Sequence, residues 1–121
     1  MATIAVFGTL DTKGDVLGYL AGCIRARGHR VLMLDVGLRG LPQVEPDLSR
    51  GKLLESTGLE ESVLETSRES AAVIMGRSAG IVLSRMFLEG GIDGVLSAGG
   101  RHGSMLALEV MRALPVGLPS V

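Results

Sequence analysis

The sequence predicts an α/β domain with a parallel sheet, and three observations carry that expectation. A short continuous apolar run at Thr3–Phe7 suits a strand buried on both faces, and Arg30–Val36 and Gly94–Ala98 read as a second and a third strand. Segments of helical periodicity fill the chain between these runs and follow the last of them. Glycine and proline punctuate the boundaries, so that strand, loop and helix alternate as parallel crossovers require.

The first run is bounded by Gly8, and the helix after it is expected to begin at Thr12, which with Asp15 has capping-box spacing. Val16, Leu17, Leu20, Cys23 and Ile24 mark its apolar face, and Gly28 stops it after Arg25 and Arg27. "RVLMLDVG" then supplies the second strand, and a strand, helix, strand succession of this length implies a right-handed parallel crossover. From Gly37 to Ser56 the text reads as loop, with Gly37, Gly40, Pro42, Pro46 and Gly51; a loop of that length in a compact domain is usually functional or mobile.

A long helix is expected from near Ser67, because Thr66 and Glu69 repeat the capping-box spacing and Ala71, Met75, Ala79, Val82 and Met86 recur at helical intervals. Gly90 and Gly91 end it. After the third strand comes a glycine loop, Gly99–Ser104, then a last helix from Ser104 to Ala113 that Pro115 stops. The closing "PSV" reads as the start of another strand, so the chain is expected to be the front part of a longer protein. The whole gives one Rossmann-like three-layer domain with an open parallel sheet over residues 1–121.

Composition narrows the function classes. The chain has 121 residues, 46% hydrophobic and 21% charged, which suits one globular domain with a real core. Twelve basic and 13 acidic residues give a net charge of -1, and only Phe7, Tyr19 and Phe87 are aromatic, so nucleic-acid binding is disfavoured. Cys23 is the single cysteine, with neither a disulfide partner nor metal-ligand spacing around it. No uninterrupted apolar run reaches the roughly 20 residues of a membrane span, and "MATIAVFGTLDTKGD" lacks signal-peptide order, so a cytoplasmic protein without membrane partners is expected.

In open parallel sheets ligands lie beyond the carboxyl ends of the strands, where strand order reverses. Three segments are expected to meet there: Gly8–Gly14, Asp35, and Gly99–Ser104. The glycine loop offers backbone N–H groups and a helix N-terminus to an anion, but matches neither GxxxxGK[ST] nor GxGxxG, and a plain strand-to-helix turn would look similar. Thr12 is a helix cap or a ligand contact, and Lys13 a solvated side chain or a phosphate partner. Asp11 is positioned for a ribose hydroxyl, a metal-bound phosphate or Lys13, and Asp35 for a ribose hydroxyl or a loop cap. A Ser104–His102–Asp11 hydrolase is disfavoured, since GxSxG is absent and residues two apart do not face one another on a helix.

"GTLDTKGD", "SRESAAVIMGRSAGIVL", "GGIDGVLSAGG" and "MRALPVGLPSV" together resemble the N-terminal ATP-binding domain of the family that includes the tomato mosaic virus resistance protein. That resemblance covers nearly the whole chain and implies a Rossmann-like domain binding ATP, alone or with Mg, within proteins of two α/β domains. It implies a nucleotide site of Gly8, Thr9, Asp11, Thr12 and Lys13 in the first loop and Gly99, Gly100, Gly103 and Ser104 in the second. Arg101 and His102 depart from it, standing where the family pattern has a serine and a glycine; they would either fill the phosphate site or, through Arg101, add charge-assisted hydrogen bonds.

The leading expectation is thus a nucleotide-binding domain, completed by Asp35 and Arg101 as further site residues. Two alternatives stand beside it: a phosphoryl- or acyl-transfer enzyme domain using Asp11 for a metal and His102 as acid or base, and an oligomerisation or regulatory domain. An open sheet edge also leads us to expect a homo-oligomer, or docking to a missing C-terminal domain.

Overall fold

The computed structural model describes residues 1–98, 101–114 and 119, with 101–105 as backbone alone. Its elements run β1 (Thr3–Gly8), α1 (Leu10–Ala26), β2 (Arg30–Asp35), α2 (Arg50–Ser56), a short 3-10 helix (Glu61–Leu64), α3 (Arg68–Leu88), β3 (Gly94–Ser97) and α4 (Arg101–Ala113). The strands form one parallel sheet in the order β2-β1-β3. Ala5 pairs with Leu32 and Val95, and Val6 with Met33 and Leu96, so like faces align across the sheet.

That register explains why the strands read as unbroken apolar runs. Ala5, Phe7, Leu34 and Val95 face α2, α3 and α4, while Val6 and Met33 face Leu10, Leu17 and Ala21 of α1. Each strand must be apolar on both sides, because helices cover both. The chain crosses from β1 to β2 through α1 on one face and from β2 past β1 to β3 through α2 and α3 on the other, which is the doubly wound, Rossmann-like arrangement that the sequence predicts. On the free side of β3, Val95 N–H donates to the Pro119 carbonyl (2.9 Å), so the chain returns alongside β3 after α4. The strand expected from "PSV" otherwise lies outside the described residues.

Several boundaries move. The helix α1 starts two residues before Thr12, and Thr12 N–H and Lys13 N–H both donate to the Thr9 carbonyl (3.0 and 2.7 Å). Lys13 departs from helical geometry (φ -122°, ψ 21°), and Asp15 N–H goes to Gln43 Oε1 (3.3 Å), so a glutamine from a distant loop replaces the expected capping box. The long helix is capped by Ser67, which accepts from Ser70 N–H (3.1 Å), one residue after the expected Thr66. The last helix begins at Arg101, putting Ser104 inside its first turns rather than ahead of them. Within the supposed loop Gly37–Ser56, Ser49 accepts from Lys52 N–H (3.2 Å) and starts α2, whose Leu53 and Leu54 are fully buried.

By length and composition α3 would suffice to cross a membrane, with a mean hydropathy of 1.4 over its most apolar window. In the domain it is the central helix of its layer: Ala71, Ala72, Met75, Ala79 and Leu83 have no exposure. Against it lies α4, and the contact depends on two glycines one turn apart. A Cβ on Gly76 would come 2.6 Å from Glu109 Cβ and 2.9 Å from the Leu106 carbonyl oxygen; one on Gly80 would come 2.5 Å from Ala113 Cβ and 3.1 Å from the Val110 carbonyl oxygen. Helix backbone, not a flexible side chain, therefore fills the space a larger residue would need.

Candidate functional site

Since β1 is the central strand, its carboxyl end and that of β3 lie side by side while the chain leaves them toward opposite faces. This is the switch point at which open α/β sheets present a crevice. Gly8 ends β1 there, fully covered, and a Cβ on it would run into Leu17 and come 3.3 Å from the Ala98 carbonyl oxygen at the end of β3. One helix N-terminus follows each strand, α1 at Leu10 and α4 at Arg101. The hydroxyls of half-buried Thr9 and exposed Thr12 lie 2.8 Å apart, with half-buried Lys13 next in the chain. Gly99 and Gly100 lie outside the described residues; Arg101, Gly103 and Ser104 are placed as helix backbone in the first turns of α4, and His102 with them.

The other two predicted site residues turn away from this crevice. Asp11 Oδ2 accepts from Gly40 N–H (3.0 Å) and Arg39 N–H (3.4 Å), while its Oδ1 is buried with no partner. Asp35 is 1% exposed, and both its oxygens are taken: Oδ1 by Gly37 N–H (2.8 Å) and Oδ2 by Arg50 Nη2 (3.2 Å). The two carboxylates meet over Gly37, where a Cβ would lie 2.6 Å from Asp11 Oδ1 and 2.9 Å from Asp35 Oδ1. Only a residue without a side chain fits between them. As a ribose ligand Asp35 is thus displaced, because a buried carboxylate at a strand end is held by protein donors first.

What holds it is a segment that runs from Val36 to Leu48 across the strand ends. Val36 N–H donates to the Gly8 carbonyl (2.9 Å), Gln43 N–H to the Leu10 carbonyl (2.9 Å), and Asp35 N–H to the Leu48 carbonyl (3.0 Å). Met33 N–H donates to Asp47 Oδ2 (2.7 Å) and Arg50 donates to the Gly40 carbonyl. Asp11 is the α1 end of this strap. Replacing it with alanine is expected to cost about 1–2 kcal/mol, a lost pair of hydrogen bonds to a carboxylate offset by removal of the unpartnered oxygen. Amide exchange checks this: Arg39 and Gly40 N–H should lose protection first, and unchanged protection would disprove the strap contact.

Sequence reading missed Arg50, Gly37 and Gly40. A buried aspartate at a strand end demands a cationic or N–H partner, and the Ser49–Lys52 cap followed by Leu53–Leu54 was the signal that a helix carrying Arg50 begins there. Among the described residues no group of three or more histidine, cysteine or acidic side chains is placed to hold a metal ion.

Comparison with known proteins bears on the same residues. The family model describing the N-terminal domain of an uncharacterised protein family, UPF0261, matches residues 2–121. A UPF0261 protein of Clostridium tetani is 31% identical over 120 residues, covering 98% of this chain and 30% of that protein. One from Brucella suis is 34% identical over 118 residues (96% and 28%), and one from Rhizobium meliloti 37% identical over 129 residues (100% and 30%). The chain thus spans about 30% of the length of these relatives. These matches correct the resemblance to the tomato mosaic virus resistance protein family: the model that covers the quoted motifs from "GTLDTKGD" to "MRALPVGLPSV", and the relatives that match nearly the whole chain, carry the UPF0261 description instead. With its family model matched from residue 2 to residue 121, the chain belongs to the UPF0261 family, as its N-terminal domain.

Proposed function

We propose that the domain binds a nucleotide of the ATP class, through its phosphates, in the crevice between the ends of β1 and β3. The single observation that carries this reading is the strand order β2-β1-β3, which sets two helix N-termini, at Leu10 and Arg101, beyond neighbouring parallel strand ends. A helix N-terminus presents unpaired N–H groups and the positive end of the peptide dipoles, and two converging on one crevice favour a multiply charged anion over a neutral ligand. Thr9 and Thr12 bring hydroxyls to the rim and Lys13 a cation, while the first turn of α4, from Arg101, supplies backbone N–H groups from the other strand end. Magnesium would travel with the nucleotide, held by its phosphates. Asp11 and Asp35 are left out of the ligand set, since both serve the strap. The activity of the full-length relatives belongs to the whole protein, of which nucleotide binding here would be one part.

Calorimetric titration of the 121-residue chain with ATP, with and without magnesium, tests the reading. Saturable heat is expected, and Lys13→Ala should weaken binding about tenfold or more, the loss of one charge-assisted hydrogen bond to phosphate. Absence of both heat and thermal stabilisation at millimolar ATP would remove the proposal.

A further inference from the structure

A second cleft lies beyond the end of β2, outside the crevice described above. It has a volume of about 270 Å³ and is lined by Arg39, Arg50, Glu61, Ser62 and Glu65, with Leu38 and Leu64. Its floor is a charged group almost wholly taken from solvent: Arg50 is 8% exposed. Only Nη2 of that guanidinium bonds to described residues, to Asp35 and to the Gly40 carbonyl. Its Nε and Nη1 have no such partner among the described residues. Arg50 lines the cleft from this buried position.

Arg39 adds a second guanidinium in a fixed pose, donating through Nη1 to the Leu64 carbonyl (3.1 Å) and through Nη2 to the Thr66 carbonyl (2.7 Å). Carbonyls orient it without neutralising it. Among the described residues no carboxylate lies within 4.0 Å of its nitrogens, although Glu61 and Glu65 line the same cleft. Glu61 is itself positioned, its Oε1 resting where a Cβ on Gly51 would come 2.6 Å from it. Arg39, Glu61 and Glu65 thus line one small cavity without pairing with one another, while Arg50 is paired with Asp35.

From this we infer that the cleft is a binding site for a small zwitterion of the amino-acid class. The ligand's carboxylate sits on the Arg39 and Arg50 guanidiniums, a planar fork suited to carboxylate, and its ammonium lies against Glu61 and Glu65. A volume just below that of drug-sized pockets suits a ligand of this size. The inference is independent of nucleotide binding, since it uses none of the same side chains.

Calorimetry on the whole chain provides the test, with each of the common L-amino acids as probe and with propionate and ethylamine as half-ligands that carry only one of the two charges. At least one amino acid is expected to bind at millimolar concentration or below, at least about tenfold tighter than either half-ligand. Arg39→Ala and Glu65→Gln change exposed side chains, and each should weaken that amino acid about tenfold. The conservative Glu65→Gln variant keeps the fold as a control. Failure of every amino acid to bind, binding of propionate as tight as that of the amino acid, or full affinity in Glu65→Gln would each overturn the inference.

Discussion

Replacing Arg50 with alanine is expected to lower the unfolding free energy by about 3–5 kcal/mol, the cost of stranding a buried charge. The physical reason is the position of Asp35, which is 1% exposed at the end of β2 and has Arg50 as its cationic partner at 3.2 Å. Removing the guanidinium leaves one carboxylate oxygen without a donor in a site water does not reach, and also releases the Gly40 carbonyl. Urea denaturation measures the loss. The Arg77–Glu109 pair supplies the contrast: with the arginine side chain 72% exposed, Arg77→Ala should change stability by less than about 1 kcal/mol. Replacing both Asp35 and Arg50 with apolar residues of similar volume should recover most of the stability lost in the single variant, since neither buried charge then remains. A loss below about 1 kcal/mol in Arg50→Ala would show that Asp35 is solvated or held by other groups.

The second large effect belongs to the α3–α4 contact. Gly76→Val is expected to cost about 3 kcal/mol, because the new side chain meets Glu109 Cβ at 2.6 Å and the Leu106 carbonyl oxygen at 2.9 Å, and helix backbone cannot yield locally. Its sign is the informative part. Replacing glycine inside a free helix is favourable, by up to about 1 kcal/mol for alanine. Gly22→Ala on α1, where nothing lies within 4 Å of the added Cβ, should accordingly stabilise the domain by about that amount. If Gly76→Val proved neutral in the same denaturation series, α4 would not be seated on α3 as described.

Sequence pattern carried the strands and α3 because their signal is local. Two-sided burial makes Ala5–Phe7 and Val31–Leu34 unbroken apolar runs, and the period of Ala71, Met75 and Ala79 needs no knowledge of what covers them. The segment from Val36 to Leu48 was illegible for the opposite reason. Its order comes from pairings such as Gln43 with Leu10 and Asp15, or Leu48 with Asp35, which no local pattern announces. The same long-range pairings changed the reading of Asp11 and Asp35. Position after a strand suggested ligand contacts, whereas the returning backbone at Gly37–Gly40 and the Arg50 side chain reach both carboxylates first. The quoted motifs marked a real family relationship but pointed to the wrong family, which the match over residues 2–121 corrects.

The most direct test of the central claim, a phosphate crevice between the ends of β1 and β3, is an amide chemical-shift map of the labelled chain titrated with ATP. Saturable shifts confined to Gly8–Lys13 and to residues 98–104, with Asp35 and residues 36–48 unmoved, are the predicted result. Shifts centred elsewhere, or none at millimolar ATP, would contradict it.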